Sequence, residues 1–265
     1  MKFVFAVRFL LTAAVTISLA HAESSRDYFT NFYHIPAAAF GEVFTLDSDK
    51  LLRNAAVLGA GALIYTQDEA IRDFWQDDVQ GKNSHWDRAS SRFLYDIGSP
   101  TGAVFLHGAT SLTAFLTDDD YLMDTTLLSL QSVLLSQLFA EGSKALTSRP
   151  RPRHSGGEAD RWGDGGSAFF SGHASGAFAS MTIFAERYRH HRGVYWGAYG
   201  LATAVSLSRI NEDAHWASDV FAGAVVGYGL AQLTLRYSPF DSSDNTYLMP
   251  LISDEYIGLS IYHAF

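Results

Sequence analysis

His215 and Asp219, four residues apart, close the stretch Ser-Arg-Ile-Asn-Glu-Asp-Ala-His-Trp-Ala-Ser-Asp at 208–219. On a helix beginning near Asp213 they would lie on one face, one turn apart. A carboxylate so placed accepts the proton on one ring nitrogen of His215 and leaves the other free to act as a nucleophile. Arg209 stands just ahead of the polar turn and can aim its guanidinium at the same space. A base held by an acid beside a fixed cation suits chemistry on an anion.

Two further segments carry polar residues among apolar helical pattern. Lys144, Arg149, Arg151 and Arg153 place four cations within ten residues of a chain that is acidic overall. An ammonium and guanidinium forks match the oxygens of a tetrahedral oxyanion. Phe170-Ser171-Gly172-His173 opens another helix. Its free N–H groups can hold phosphate oxygens, Gly172 lets the backbone approach, and His173 can protonate a leaving oxygen. Taken singly, each segment has a plainer explanation. The cations suit any helix C-terminus, Ser171 could simply cap a helix with a packed histidine, and a His–Asp pair is as often structural or part of a metal site. No further His or carboxylate stands at clear metal spacing in these segments.

Together the three resemble the type 2 phosphatidic acid phosphatase family, which shares its pattern with bacterial class A acid phosphatases and vanadium haloperoxidases. That pattern is Lys-x6-Arg-Pro, Pro-Ser-Gly-His and Ser-Arg-x5-His-x3-Asp. Here it falls on Lys144, Arg151 and Pro152; on Ser171, Gly172 and His173; and on Ser208, Arg209, His215 and Asp219. The one departure is Phe170 in place of the first proline, which is expected to loosen the turn before the cradle without removing a reacting group. The resemblance implies that Lys144, Arg151, Ser171, Gly172 and Arg209 bind the phosphoryl group. It implies that His215 attacks phosphorus, Asp219 fixes its tautomer and a protonated His173 serves the leaving group. It requires no metal and no cofactor, and it implies vanadate sensitivity. His154 and Arg149 are noted as neighbours of the pattern. Two other activities share the same cradle: a vanadium-dependent peroxidase, and a catalytically inactive module that binds phosphate or a lipid headgroup. Neither the substrate, lipid or soluble, nor the oligomeric state can be read from these residues.

The elements that must position these groups read as helices. The chain has 265 residues, no cysteine and a formal net charge of −9, so disulfides and thiol chemistry are excluded and nucleic acid is not an expected partner. Lys2 and Arg8, an apolar run over 9–20 and Ala20-His21-Ala22 read as a secretory signal peptide over residues 1–22. That implies a periplasmic protein, with a membrane-associated form as the alternative. A helical domain is expected over 23–240 and a β-like tail over 241–265. The expected fold is therefore an all-α bundle of the acid phosphatase/vanadium haloperoxidase kind with a short C-terminal β-hairpin or strand.

Within the domain, 23–49 reads as an irregular aromatic segment containing Pro36. Helices are expected from 49 to 65 (buried), 68 to 80, 85 to 97, 101 to 116, 121 to 147, 171 to 187, 193 to 208 and 214 to 235. The apolar stretches fall short of a membrane span. A water-soluble helical bundle is the expectation, with peripheral membrane contact, shallow insertion or an integral form as alternatives; a lipid substrate would need an apolar ramp, for which Tyr28–Phe40 or the tail is available. In the tail, Ile257, Leu259 and Ile261 alternate with Gly258, Ser260 and Tyr262, the period of a strand.

Overall fold

The computed structural model describes residues 22–80, 84–241, 246–252 and 257–263. The expected leader therefore lies, apart from Ala22, outside the described residues. The body is helical. In chain order it comprises α1 (Ala22–Val43), α2 (Ser48–Tyr65), α3 (Asp68–Phe74) running into a π-turn (Trp75–Gln80), α4 (Ser84–Gly98), α5 (Pro100–Thr117), α6 (Asp120–Thr147), α7 (Gly172–Arg187), α8 (Arg192–Asn211) and α9 (Ala217–Arg236). Backbone segments Thr246–Ile252 and Ile257–His263 run antiparallel.

The helix ends follow local chemistry. The side chains of Asp47, Ser99, Asp119 and Ser171 accept N–H groups from the first turns of α2, α5, α6 and α7. Asp118, in the left-handed region at φ 50°, closes α5, so the acidic turn 118–120 ends one helix and caps the next.

Two expectations are corrected. Residues 23–43 form a helix straight through Pro36. Tertiary packing outweighs the lost hydrogen bond: Ile35 is fully buried against Leu135, Leu230 and Leu233, and the Tyr28 hydroxyl donates to the Leu127 carbonyl at 3.0 Å. Helix α2 is apolar as expected but buries no residue. An apolar helix can face outward as well as inward, and composition does not distinguish the two.

The centre is formed by α6, α7 and α9. Glycines set the α7–α9 separation: a Cβ on Gly223 would stand 2.6 Å from the Ser171 carbonyl oxygen, and one on Gly227 2.1 Å from that of Ser175. The two backbones touch, so the start of α7 is pressed against the first half of α9. Both ends of this contact carry residues of the candidate site.

Candidate active site

The site gathers at one end of the bundle, where α6 ends, α7 and α9 begin and α8 stops. Each break has a local cause. Ser148, at φ 44°, ends α6, and Pro150 and Pro152 prevent it from resuming. Ser171 caps α7 through Ala174 N–H, and its own N–H donates to the Asp219 carbonyl at 3.0 Å. Phe170 is buried, and with that backbone bond it holds the turn that the missing proline was expected to loosen. The turn after α8 passes through Asp213 at φ 53°, where the side chain receives a bidentate grip from Arg72 at 2.7 and 2.9 Å.

The backbone therefore does not become helical at Asp213. Helix α9 starts at Ala217, so His215 lies ahead of the helix and does not share a helical face with Asp219. Asp219 occupies the third helical position and folds back to accept the Trp216 N–H at 2.9 Å. Its Oδ2 stands 3.7 Å from His215 Nδ1, beyond hydrogen-bonding reach. Instead, Nδ1 lies 2.8 Å from the Ala168 carbonyl oxygen. A carbonyl only accepts, so this contact places the proton on Nδ1 and leaves the lone pair on Nε2. The tautomer expected from Asp219 is thus set by a main-chain oxygen, and Asp219 acts across a short gap as a charge.

The remaining expected residues come together here. Gly172 leaves room that a side chain would fill: its Cβ would sit 3.4 Å from Lys144 Nζ. His173 lies in the field of Arg209, His215, Lys144 and Arg151. Arg209 and His215 are nearly fully buried, and Ser171 and Asp219 completely so. Two polar atoms, His173 Nε2 and Arg209 Nε, are buried with no hydrogen-bond partner among the described residues. Where cations are paired, the partners are carboxylates one turn away: Lys144 with Glu141 at 2.6 Å, and Arg209 with Glu212. An anion entering the cradle would compete with these two glutamates.

Burial and the surrounding cations lower His173 from 6.5 to about 3. Burial likewise pushes His215 below the ordinary histidine value, with Asp219 pulling it back up. Both rings are thus held below the ordinary histidine value, where the expectation was one neutral and one protonated imidazole. An anion in the cradle would offset the cations among these causes and raise His173 again.

Tyr95, Gln137 and Asp68 were not identified from sequence, whereas Arg149 and His154 were noted there as neighbours of the pattern. Tyr95 stacks on His173 with centroids 4.9 Å apart and lies under the Arg209 guanidinium, also at 4.9 Å. Gln137 Nε2 donates to the Gly172 carbonyl at 2.9 Å and steadies the cradle. Arg149 is fully buried and reaches Asp219 at 2.6 Å and Asp68 at 2.7 Å. His154 lines a cavity of about 300 Å³ with Pro150, Arg151, Asp164, Gly165, Gly166 and Ser167. Nothing in the spacing of residues 68, 95 or 137 distinguishes them from other polar helix residues.

The PAP2 superfamily pattern matches residues 125–242, a stretch that holds every residue of the cradle named in the sequence. The match covers somewhat less than half of the chain. The chain is also similar to curated and solved proteins. A Lipid A 1-phosphatase from Porphyromonas gingivalis is 39% identical over 72 residues, which make up 27% of this chain and 16% of that protein. The aligned part is thus a small fraction of the relative's length. A transmembrane PAP2 type phosphatidylglycerolphosphate phosphatase from Bacillus subtilis shares the fold with a TM-score of 0.53 at 20% identity, over 82% of this chain and 96% of that one. The all-helical PAP2 fold therefore extends well beyond the matched segment.

Proposed function

We propose that this chain is a phosphatase that hydrolyses phosphomonoesters or lipid-linked (di)phosphates through a phosphohistidine. One observation carries the reading: two buried nitrogens without partners, on His173 and Arg209, sit among Lys144, Arg151 and a His215 whose Nε2 holds its lone pair. A tetrahedral oxyanion supplies what that set lacks.

Phosphoryl oxygens are held by Lys144, Arg151, Arg209, Ser171 and the free N–H groups at the start of α7. The His215 Nε2 lone pair forms a bond to phosphorus as the bond to the leaving oxygen breaks, and His173 delivers its proton to that oxygen. Nδ1–H remains on Ala168, and Asp219 offsets the positive charge the ring gains. Water then attacks phosphorus, His173 takes its proton, and the P–N bond returns its electrons to Nε2. Side chains fill every role, so the reaction is expected to need no divalent cation.

A lipid-linked substrate is favoured by the outer surface. Leu58, Leu63, Phe93, Phe105, Leu116 and Leu138 are each more than half exposed, and exposure on this scale marks contact with a membrane or partner. No helix among the described residues is long and apolar enough to cross a membrane, so the reading is a secreted, periplasmic enzyme in peripheral contact with the bilayer. The C-terminal hairpin belongs to this reading as part of the apolar ramp. The two relatives are named for lipid phosphates, which points the same way.

The test is a panel comprising a chromogenic phosphomonoester, phosphatidic acid, phosphatidylglycerol phosphate and a polyprenyl diphosphate, with and without detergent. Turnover that persists in EDTA and is blocked by vanadate supports the reading. Bromide oxidation by peroxide after vanadate loading would assign a peroxidase instead. Phosphate binding without turnover of any substrate would leave a binding module.

A further inference from the structure

Arg149 uses every donor that it has. Its five N–H donors make five bonds: Nε and Nη2 to the Ala159 carbonyl, Nη1 to Ser218 Oγ and Asp219 Oδ1, and Nη2 to Asp68 Oδ2. Tyr65, Trp162 and Trp216 rings surround its Cζ at 5.2, 4.7 and 5.3 Å. Asp68, the first residue of α3, also accepts the Ser218 N–H at 2.8 Å and the Ser218 hydroxyl. The side chains of all three charged residues are at 0% exposure.

The charges decide what this arrangement does. Asp219 stands 3.7 Å from His215 Nδ1, where a negative charge favours the cationic ring that forms as Nε2 bonds to phosphorus. Arg149 alone, 2.6 Å from Asp219, would cancel that charge. With Asp68 on the other fork, the buried group carries two negative charges and one positive, and a net negative charge faces His215. Water cannot screen it at this depth.

We propose that Asp68 and Arg149 are positioning residues of the reaction, forming a buried Asp68–Arg149–Asp219 triad whose net charge of −1 sets the cationic stability and nucleophilicity of His215. Asp68 lies outside the matched family segment, so nothing in the cradle pattern points to it. The inference deepens the phosphatase reading and rests on it for its catalytic consequence. The charge coupling itself can be read without turnover.

The experiment uses the full chain with four variants: Asp68→Asn, Asp68→Glu, Arg149→Gln and the double Asp68→Asn/Arg149→Gln. Melting is recorded first. Two readouts follow: kcat and KM on the best panel substrate, and the titration midpoint of the His215 ring by 15N-histidine NMR. The other titratable groups facing His215, namely Asp219, Arg151 and His173, are unaltered in every variant. Asp68→Asn removes a charge while keeping the shape. It should move the His215 midpoint down by about half a pH unit or more and lower kcat about 10- to 100-fold, with KM little changed. Arg149→Gln should move the midpoint up. The double variant, again at net −1, should return it close to the parent value, and Asp68→Glu should keep it there.

A structural staple gives a different pattern. Melting would fall in Asp68→Asn with the midpoint unmoved, and the double variant would be worse than either single one on both readouts; that result overturns the proposal. Midpoints that follow net charge in a protein that turns over no phosphate ester would uphold the charge coupling and remove the phosphatase reading.

Discussion

The C-terminal end and the middle of helix α6 are built differently. At its C-terminal end, around Arg149, charge is buried at high density and every donor of the guanidinium is used. In its middle, small hydroxyls share the core with Leu127, Leu128, Val133 and Leu135: Thr125, Thr126, Ser129, Ser132 and Ser136 are buried, while Leu134 and Leu138 face outward at 50% and 65% exposure. Four of these hydroxyls are bonded, Thr125 and Thr126 to carbonyls one turn back, Ser129 between Ser180 and His107, and Ser136 to Ser175 Oγ, while Ser132 Oγ has no partner among the described residues. The lesson is that the middle of the helix buries leucines and small hydroxyls together and leaves other leucines outward, whereas the end buries charge. The first pattern lets neighbouring helices approach closely. The second suits a site that must hold charges in fixed relation.

The comparison can be broken most sharply at the nucleophile. His215→Ala should cut turnover by about 10⁴-fold or more while vanadate affinity, measured by calorimetry, changes severalfold at most. Turnover within tenfold of the parent would remove His215 from its role. Next in size, Arg149→Met strips the buried carboxylates of their cation and should cost about 3–5 kcal/mol in chemical denaturation. Ser129→Ala, in the middle of the same helix, should cost about 1–2 kcal/mol through the unpaired groups left on Ser180 and His107. Equal costs would erase the distinction between the two regions.

Acid titration sharpens it further. His173 has a folded value of about 3 against 6.5 when free. Its folded value is depressed, so the unfolded chain binds a proton that the folded chain refuses. The stability linked to this ring is present above about pH 6.5 and is lost as pH falls towards 3. Denaturation midpoints recorded across that window should decline more steeply for the parent than for His173→Gln, and vanadate should flatten the parent's curve. The smallest effect belongs to the periphery. Leu58→Ser with Leu138→Ser should change stability by no more than about 0.5 kcal/mol, yet reduce co-sedimentation with phosphatidylglycerol-containing vesicles. Unchanged sedimentation would take the apolar surface out of the lipid reading.

What could be read from sequence and what could not divides along the same line. Lys144, Arg151, His173, Arg209, His215 and Asp219 announce themselves because the chemistry needs those types in that order, and helical periodicity supplies the elements between them. The geometry joining them is another matter. The His215–Asp219 spacing suggests one helical face, but Asp213 turns left-handed in the grip of Arg72 and delays the helix to Ala217. Asp68 and Asp219 meet through Arg149 across 151 positions of chain, a separation no local pattern encodes. Apolarity located α2 correctly but misjudged its burial, since the same composition serves an interior and an outward face.

One consequence follows from where Arg149 finds its second carboxylate. Asp68 and Arg72 come from α3, ahead of the segment that carries the family pattern, yet the first completes the charge balance behind the nucleophile and the second clamps the turn that presents it. On the proposed reading, residues 125–242 are accordingly not expected to form a self-sufficient catalytic unit. Excised alone, they would bury a guanidinium with half its counter-charge and leave the His215 turn without its anchor, so a working minimal protein has to begin upstream of α3.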